Sequence, residues 1–497
     1  MLARTQSFCI QGAKAANVTV EVDIRSGLPA FSIVGLPDTA IRESRERVRA
    51  AILNDGFEFP QRRITINVAG GGEPFRSGPS LDLPIAFGIL KASNQLGNTD
   101  TEKIATVGEL SLDGAVQPIR GSLLIAKQAA ESGVELLVVP SANDREARAD
   151  QHPPVCAVRR LSDLRDLTPT DPPSESTSTP AFPDGPDIRD LRGHAFPIRA
   201  LEIAAAGSHS VLFRGAPGCG KTMLARRLPS ILPPMSHEEA VQVTGLQSVA
   251  GNLRVDGLTK QRPFRAPHHS ISASGLVGGH HSFIPGEASL SHAGVLFLDE
   301  LSEFSTRSLE SLRQPLDDGE IALTKDQHTI ILPARFQLVA ATNPCPCGAA
   351  NTAKCRCSAT ERDRYNRRLS GPLLDRFDMT CPVERPTPAE VEAGPITDSK
   401  TVRARTSAAR EMQLERYCDL PFVANGDLDG ATTRRLLKPP DDVRAMLNDG
   451  YKHHRISLRG YDRTLRIART IADLDARDDI STADVAEALA FRIEPLI

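Results

Sequence analysis

The alternation of apolar and polar residues divides the chain into parts with different periodicities. Near the N-terminus, "VTVEVDI" and "RITINVAG" alternate as half-buried strands do, and "LDLPIAFGIL" is typical of a buried helix. Between the two strands runs a segment with one apolar helical stripe, formed by Ile41, Val48, Ile52 and Leu53. Strands mixed with helices predict an α/β or α+β domain for residues 1–166.

The rest of the chain changes character twice. Residues 167–187, "LTPTDPPSESTSTPAFPDGPD", are rich in Pro, Ser and Thr and predict a linker, with an ordered surface loop as the alternative. Residues 188–385 have the pattern of a phosphate-binding α/β core. Residues 386–497 are mainly helical, with long stripes in "RTLRIARTIADLDAR" and "TADVAEALAFRI".

Composition adds limits on location and partners. A chain of 497 residues favours several domains, and its content of 40% hydrophobic and 24% charged residues is ordinary for a globular protein. Because no apolar run is long enough to span a membrane and "MLARTQSFCI" lacks a signal-peptide core, we expect a cytoplasmic protein without membrane contact. The net charge of −3 excludes a global basic field, so a nucleic-acid partner must meet a local positive surface.

A glycine-rich loop supplies the first candidate chemistry. "HSVLFRGAPGCGKTMLARRL" predicts a strand, a loop whose backbone N–H groups face phosphate oxygens, and a helix. Lys221 is expected to reach the β- and γ-phosphates and the Thr222 hydroxyl to bind Mg²⁺. We interpret Cys219 as a small spacer rather than a nucleophile. The predicted nucleotide-binding residues are Gly215, Ala216, Pro217, Gly218, Cys219, Gly220, Lys221 and Thr222.

Three further segments supply the polar groups that hydrolysis of a bound nucleotide needs. "GVLFLDE" is an apolar strand followed by Asp299, which is expected to hold Mg²⁺, and Glu300, which is expected to orient the attacking water. "FQLVAATNP" ends a second strand near Asn343, whose amide could lie beside the γ-phosphate. "GPLLDRFD" presents Arg376 as an arginine finger for a neighbouring subunit or, alternatively, as an internal salt-bridge partner.

Four of the nine cysteines lie within thirteen residues. "CPCGAANTAKCRC" forms two Cys-x-Cys pairs, made by Cys345, Cys347, Cys355 and Cys357. Four thiolates suit tetrahedral Zn²⁺, so we predict a zinc site. Reduced thiols without metal and a redox disulfide are the alternatives. A structural disulfide framework is not expected, because such frameworks are unusual in a cytoplasmic chain.

Two histidine pairs and a basic stretch complete the candidates. The pairs are His268 with His269 and His280 with His281. Their adjacent spacing differs from the i, i+4 spacing of helical metal ligands, which favours a loop or pore role. The segment "RCSATERDRYNRRLSGPLLDR" is basic, contains Tyr365 and could contact DNA or a neighbouring subunit.

Together these motifs resemble a known family. "GAPGCGKT", "GVLFLDE", "ATNPCPCG" and "SGPLLDRFD" are similar to AAA+ ATPases of the magnesium-chelatase-like ComM/YifB type, and "RPFRAPHHSISASGLVGG" strengthens the match. The resemblance covers nearly the whole chain. It implies an α/β multidomain protein with a Lon-protease-like (S5-like) α+β N-terminal domain, a P-loop AAA+ α/β core and a C-terminal helical lid. It also implies a homo-hexameric ring with ATP and Mg²⁺ between subunits.

The resemblance assigns a role to each matching position. In "SLRGYDRTLRIART" it implies a sensor-2 residue at Arg459, with Arg463 as the alternative. It implies an insert near residues 246–274 and a hairpin, "GEIALTKDQHTIILPA", with Lys325 at a tip facing the ring pore. One lysine per subunit would form a ring of positive charge in the pore that contacts the phosphate backbone of a nucleic acid. The alternative is that the hairpin is a solvated turn without this role. The other implied roles are Walker A for Lys221 and Thr222, Walker B for Asp299 and Glu300, sensor 1 for Asn343, and the arginine finger for Arg376.

The Lon-like resemblance of the N-terminal domain does not extend to peptidase activity. "FRSGPSLDLPIA" matches the segment of Lon that carries its nucleophile, which here is Ser80. A serine nucleophile needs a base, but the matching lysine position is Leu123, and Lys127 lies a helical turn away. We therefore expect an inactive peptidase fold.

Three functions remain at this point. The resemblance implies a helicase that binds single-stranded or branched DNA and promotes branch migration during natural transformation. A chelatase-type ATPase subunit is the first alternative, against which the N-terminal domain and the cysteines argue. The second is an ATP-dependent scaffold, against which the hydrolytic residues Glu300 and Arg376 argue.

Overall fold

The structure is a computed structural model. It describes residues 1–35, 38–70, 79–96, 103–172, 185–253, 257–279, 283–325, 328–348, 355–368, 371–453 and 456–492. Within these ranges, a mixed sheet with helices comes first, a parallel sheet follows, and a group of helices ends the chain. None of the helices so described is long and apolar enough to cross a membrane.

The N-terminal part is built on a seven-stranded mixed sheet. Its elements are β1 Leu2–Gln11, β2 Lys14–Arg25, β3 Ala30–Val34, α1 Asp38–Asn54, β4 Arg63–Gly70, α2 Asp82–Ala92, β5 Ile104–Thr106, β6 Glu109–Leu110, β7 Val116–Gln117, α3 Ser122–Glu131, β8 Leu136–Pro140, α4 Asp144–Ala147 and β9 Val155–Val158. The sheet order is β3-β4-β2-β1-β5-β8-β9, in which β2 pairs antiparallel with β1 and β4.

The periodicity of the sequence predicts this part well. Strands β2 and β4 and helices α1 and α2 lie where the apolar patterns place them. Helix α2 is buried along almost its whole length because it packs between the sheet and α1. The predicted stripe of α1 is wrong at Leu53, which is exposed, whereas Val48 and Ile52 are fully buried. The side chain of Ile41 lies outside the described part.

The middle of the chain forms a five-stranded parallel sheet flanked by helices. Its elements are α5 Ala195–Gly207, β10 Val211–Arg214, α6 Lys221–Arg227, α7 His237–Val249, β11 Phe264–Arg265, α8 Ala273–Val277, β12 Gly278–Gly279, β13 Ile284–Pro285, α9 Glu287–Leu290, β14 Val295–Leu298, α10 Thr306–Ser311, α11 Arg313–Asp318, β15 Glu320–Lys325, β16 His328–Pro333, β17 Gln337–Thr342, α12 Ala359–Arg368, α13 Gly371–Leu374 and β18 Met379–Pro382. The sheet order is β11-β14-β17-β10-β18.

Two expectations for this part have different outcomes. The predicted hairpin is confirmed, since β15 and β16 pair antiparallel from Glu320 with Pro333 to Lys325 with His328. The insert expected near residues 246–274 is wrong in part: β11 lies inside it and pairs with β14 as an edge strand of the main sheet. A two-residue strand is too short for apolar periodicity to reveal.

The last part is helical, and its helices pack on one face of the parallel sheet. They are α14 Pro388–Glu392, α15 Ser399–Arg416, α16 Gly430–Leu436, α17 Asp441–Lys452, α18 Leu458–Leu474 and α19 Thr482–Ala490. Alternate residues of β10, such as Phe213, share a core with α18, while Leu212 points to the opposite face, where the β15–β16 hairpin packs. Burial on both faces explains why the strands of this sheet are continuous apolar runs.

The N-terminal domain contacts the core through α7. The Ser248 hydroxyl of α7 donates a 2.6 Å hydrogen bond to Glu146 Oε1 and accepts one of 2.7 Å from the backbone N–H of Gly121. Nearby, His237 lies 2.8 Å from Asp150. The Ser248 bonds are buried, so each of these polar groups depends on its partner across the interface.

We expect Ser248→Ala to lower the free energy of unfolding by about 1–3 kcal/mol, because it leaves the Gly121 N–H and the Glu146 carboxylate short of a buried partner. Denaturant titration of the purified protein measures this. Ser132→Ala is the matched control, since the hydrogen bonds of the Ser132 hydroxyl with Asn17 and Gln128 are exposed and their loss should cost less than about 0.5 kcal/mol. Equal stability of the two variants would contradict the interface described above.

Candidate nucleotide site and cysteine cluster

The glycine-rich loop lies at the carboxyl end of the parallel sheet. It connects β10 to α6, and the strand ends in register with its neighbour, since Arg214 pairs with Thr342 of β17. Gly220 precedes α6 with a φ of 99°, and a Cβ atom there would lie 3.1 Å from Nε2 of His194. Both the left-handed backbone and the close histidine therefore require glycine at this position.

Lys221 joins the loop to the end of β17. Its Nζ donates to the backbone oxygens of Gly215, at 2.6 Å, and Ala216, at 3.0 Å. A third bond of 3.0 Å goes to Oδ1 of Asn343. The ammonium group is thus held where the predicted phosphate loop and the predicted sensor meet, and its partners are neutral oxygens that an anionic phosphate can replace.

Thr222 and Asp299 form the hard-oxygen pair that the sequence predicts for Mg²⁺. The Thr222 hydroxyl donates a 2.8 Å hydrogen bond to Oδ2 of Asp299, which follows the last residue of β14. Hydroxyl and carboxylate oxygens are ligands that Mg²⁺ accepts, together with phosphate oxygens and water. The donor set therefore fits the cation.

Glu300 adopts a left-handed backbone conformation, with φ and ψ both 52°. This conformation is uncommon for a residue other than glycine, and such strain is concentrated at functional sites. The backbone N–H of Glu300 donates a hydrogen bond of 3.0 Å to Oδ1 of Asp299, and the Glu300 side chain is 58% exposed. The carboxylate is therefore open to solvent beside the predicted Mg²⁺ ligand.

His269 is a neighbour of Glu300 that the sequence reasoning missed. Its Nδ1 lies 3.7 Å from Oε2 of Glu300, and its ring lies 4.0 Å from that of His268. No pattern in the sequence signalled this contact, since it results from the short strand β11, which ends just before this pair and runs beside β14. His280 and His281 lie outside the described residues.

Arg376 is bound within its own protomer. Its Nη2 lies 2.6 Å from Oδ2 of Asp317, and its buried Nε has no hydrogen-bond partner among the described residues. The single chain thus contains the salt bridge that the sequence offers as an alternative to an arginine finger. The finger role concerns a neighbouring subunit and stays a prediction.

The two sensor-2 candidates have different surroundings. Arg463 is buried, with its Nε 3.6 Å from Asp378 and its Nη1 3.3 Å from the backbone oxygen of Phe377. Arg459 is 68% exposed and reaches Asp375 at 3.5 Å. Because Arg463 is already committed to a buried carboxylate, the geometry favours Arg459 as the residue able to contact a ligand.

Asp378 is the buried carboxylate that holds α18 against the sheet. Burial opposes its ionisation, but Arg466, the ring of His209 and Arg463 outweigh that cost and hold the pKa of Asp378 well below its ordinary value. It remains charged at neutral pH, and it lies two residues after Arg376. The segment carrying the predicted finger is thus anchored to the C-terminal helices.

The four cysteines predicted to bind zinc come together, although they are separated along the chain. Their Sγ atoms all lie within 4.8 Å of one another, and three pairs measure 3.4, 3.7 and 3.9 Å. A tetrahedral Zn²⁺ with bonds of about 2.3 Å separates its sulfur ligands by about 3.8 Å. The cysteine cluster, defined as Cys345, Cys347, Cys355 and Cys357, therefore fits Zn²⁺.

Two other predicted sites have less support from the coordinates. Leu123, at the position of the Lon lysine, is completely buried, and Lys127 lies 3.9 Å from Asp150. The inactive peptidase fold stays a prediction. Lys325 ends β15, but its side chain and residues 326–327 lie outside the described part.

Comparison with known proteins identifies the family. Models described as magnesium chelatase subunit ChlI match residues 187–391, 20–143 and, for the C-terminal part, 396–492. The YifB protein of Escherichia coli strain K12 is 40% identical over 97% of this chain and 95% of its own length. This chain belongs to the magnesium-chelatase-like ComM/YifB family. Within that family, the competence protein ComM of Haemophilus influenzae is 39% identical over 99% of this chain and 97% of its own length.

A more distant relative covers only part of the chain. The magnesium-chelatase 38 kDa subunit of Rhodobacter capsulatus is 25% identical over 55% of this chain and 77% of its own length. Membership of the family, the parallel sheet and the α/β multidomain architecture together support an AAA+ ATPase, for which ATP and Mg²⁺ are the expected cofactors. AAA+ proteins of this kind usually form oligomers.

The cysteine cluster leads to a direct prediction. Purified protein should contain about one Zn²⁺ per chain, because four sulfur atoms at these distances are stabilised by a shared cation. Metal analysis of Cys347→Ser and Cys355→Ser should show loss of zinc, whereas Cys418→Ser, which changes an exposed cysteine outside the cluster, should retain it. Metal-free protein with four freely reactive thiols would refute the zinc site.

Proposed function

We propose that this protein is an ATP-dependent, hexameric DNA motor, a helicase that promotes branch migration during natural transformation or recombination. The observation that carries the proposal is the nucleotide site, in which Lys221 bonds to Asn343 and Thr222 bonds to Asp299. These bonds bring the candidate phosphate-binding, sensor and Mg²⁺-binding groups together at one end of the parallel sheet.

Each of the hydrolytic residues has a separate role in this proposal. Lys221 neutralises and orients the phosphates, and Thr222 and Asp299 hold Mg²⁺, which supplies charge neutralisation at the transferring phosphoryl group. Glu300, exposed beside Asp299, orients the attacking water, and His269 lies close enough to influence the orientation of that carboxylate. Asn343 reports the state of the γ-phosphate to β17.

Assembly into a ring completes the site in this proposal. Arg376 leaves Asp317 and enters the nucleotide site of the adjacent subunit, where a positive charge stabilises the transition state. Asp317 is half exposed, so its ion pair with Arg376 is a weak barrier to this exchange. Arg459, which is exposed near Asp375, contacts the nucleotide from the C-terminal helices of its own subunit.

DNA binds where basic groups face the ring pore. Lys325 ends β15 at the tip of the hairpin, and Arg362 and Arg364 lie on α12, beside the cysteine cluster. Arg367 and Arg368 extend this basic sequence. Because the chain is slightly acidic overall, such a local concentration of positive charge is the only way to attract a phosphate backbone strongly.

The two alternative functions have specific weaknesses. A chelatase-type ATPase subunit accounts for the shared core, yet the Rhodobacter capsulatus subunit aligns with only 55% of this chain, whereas ComM aligns with 99%. A non-hydrolysing scaffold has no need for the strained Glu300. The DNA motor is therefore the function we favour.

The ATPase assignment is tested by two variants. Lys221→Ala should lose nucleotide binding, and Glu300→Gln should bind ATP while its kcat falls about 100-fold or more, because the water is no longer oriented. Glu303→Gln is the matched control, as it removes a carboxylate from the same loop. Normal turnover by Glu300→Gln would show that its assigned role is wrong.

The DNA assignment is tested by salt dependence. Log affinity for single-stranded and forked DNA should fall linearly with log salt, and Lys325→Ala should flatten that slope and reduce DNA-stimulated ATP hydrolysis. Basal ATP binding should not change, since Lys325 is not among the residues assigned to the nucleotide site. Lys438→Ala, which changes an exposed lysine between α16 and α17, controls for net charge.

Two results of that experiment would count against the proposal. An unchanged slope and unchanged stimulation in Lys325→Ala would move the DNA contact away from the hairpin. No DNA binding at any salt concentration, with nucleotide present to assemble the ring, would favour the chelatase or scaffold alternatives.

A further inference from the structure

The cysteine cluster is attached directly to the predicted sensor. Cys345 follows Asn343 by two residues and is completely buried, and Asn343 Oδ1 accepts the 3.0 Å bond from Lys221. A change in the position of Cys345 is therefore transmitted through a single intervening residue to the amide that contacts Lys221.

A second contact links the cluster to the phosphate loop. Gly348, one residue after Cys347, has a φ of 75°, and a Cβ atom at this position would lie 2.3 Å from Cδ of Pro217. Only glycine lets the two backbones approach this closely. The segment that carries two of the cysteines thus packs directly on the loop predicted to hold phosphate.

A third contact reaches the segment that follows Glu300. Helix α12 begins two residues after Cys357, and its Tyr365 is 6% exposed. The Tyr365 hydroxyl accepts a 2.7 Å buried hydrogen bond from the Ser302 hydroxyl. Ser302 lies two residues after Glu300. The strained backbone of Glu300 persists only because the surrounding residues hold it in that conformation.

We propose that Tyr365 is a positioning residue for the Glu300 carboxylate, acting through Ser302, and that the metal-bound cysteine cluster holds this tyrosine, Asn343 and Pro217 in one arrangement. The inference rests on the proposed ATPase function. Soft thiolate ligands select a soft or borderline divalent metal, of which Zn²⁺ is the first choice here.

The physical basis is that three separate contacts depend on one cross-link. The cysteines belong to two short segments, 345–347 and 355–357, and a shared metal fixes the distance between them. The first segment contacts Pro217 and continues from Asn343, while the second leads into α12 and Tyr365. Losing the metal frees both segments, whereas losing the tyrosine hydroxyl affects only Ser302.

This difference separates the expected effects of the variants. Tyr365→Phe and Ser302→Ala each remove the same hydrogen bond, so each should lower kcat for ATP about three- to tenfold and leave KM and zinc content unchanged. The double variant should resemble either single variant, because neighbours that act through one bond are not additive. Tyr451→Phe, at an exposed tyrosine, is the matched control and should behave as wild type.

Removal of the metal should have a broader effect. Cys347→Ser should lose zinc, lower kcat through Asn343 and Tyr365, and also weaken binding of a fluorescent ATP analogue, because Gly348 no longer supports Pro217. Hydrogen exchange of residues 300–304 should increase in Cys347→Ser and in Tyr365→Phe. Cys418→Ser should change none of these quantities.

The outcomes separate this inference from the function on which it rests. Unchanged kcat in Tyr365→Phe and Ser302→Ala, additive losses in the double variant, or unchanged exchange at residues 300–304 would overturn the positioning role. Zinc loss without any change in nucleotide binding or turnover would overturn the role of the cluster. A wild-type protein that hydrolyses no ATP would refute the proposed function itself, and with it this inference.

Discussion

The parallel pairing of β17 with both β10 and β14 is the constraint on which the nucleotide site depends. The register aligns Arg214 with Thr342, and it aligns Leu298 with Ala340. The loops that follow these strands therefore start at nearly the same level of the sheet, which is where ligands bind in open parallel sheets. The two side-chain bonds of the site, from Lys221 to Asn343 and from Thr222 to Asp299, are consequences of this alignment.

The two faces of the same sheet pack against different parts of the protein. One face packs against the C-terminal helices, which are held by the buried charge of Asp378. The other face packs against the β15–β16 hairpin, and Ala13 of the N-terminal domain packs into the same cluster. A movement of the sheet edge on hydrolysis would therefore reach the helices and the hairpin by different routes. The N-terminal domain is joined to the core by the buried hydrogen bonds of Ser248 in α7.

The cysteine cluster lies beside the predicted phosphate loop. Gly348 packs on Pro217, and α12, which follows the cluster, carries the tyrosine that bonds to Ser302. The family model that matches residues 187–391 spans the core sheet, its loops and this cluster together. A metal bound by the four thiolates would therefore lie next to the predicted nucleotide site rather than remote from it.

Periodicity and residue type predicted part of the fold and the candidate chemistry. Apolar patterns located β2, β4, α1 and α2, because burial on one face imposes a period of two or of 3.6 residues, whereas the family resemblance located the hairpin. Residue type also indicated Lys221, Asp299 and the cysteine cluster as candidates, since few side chains can hold phosphate, Mg²⁺ or Zn²⁺, and these roles stay predictions. The apolar pattern failed at β11, a strand too short to show a period, and at Leu53, an exposed residue near the end of α1.

Tertiary structure alone decided which of these residues meet. The contacts of His269 with Glu300 and of Tyr365 with Ser302 join residues that are far apart in the chain, and no local pattern indicates that they pair. Likewise, only burial against Asp378 distinguishes Arg463 from the exposed Arg459. Side-chain type sets what a residue can do, but strand order and packing across the sheet set its partners, and those distances are not encoded in any local pattern.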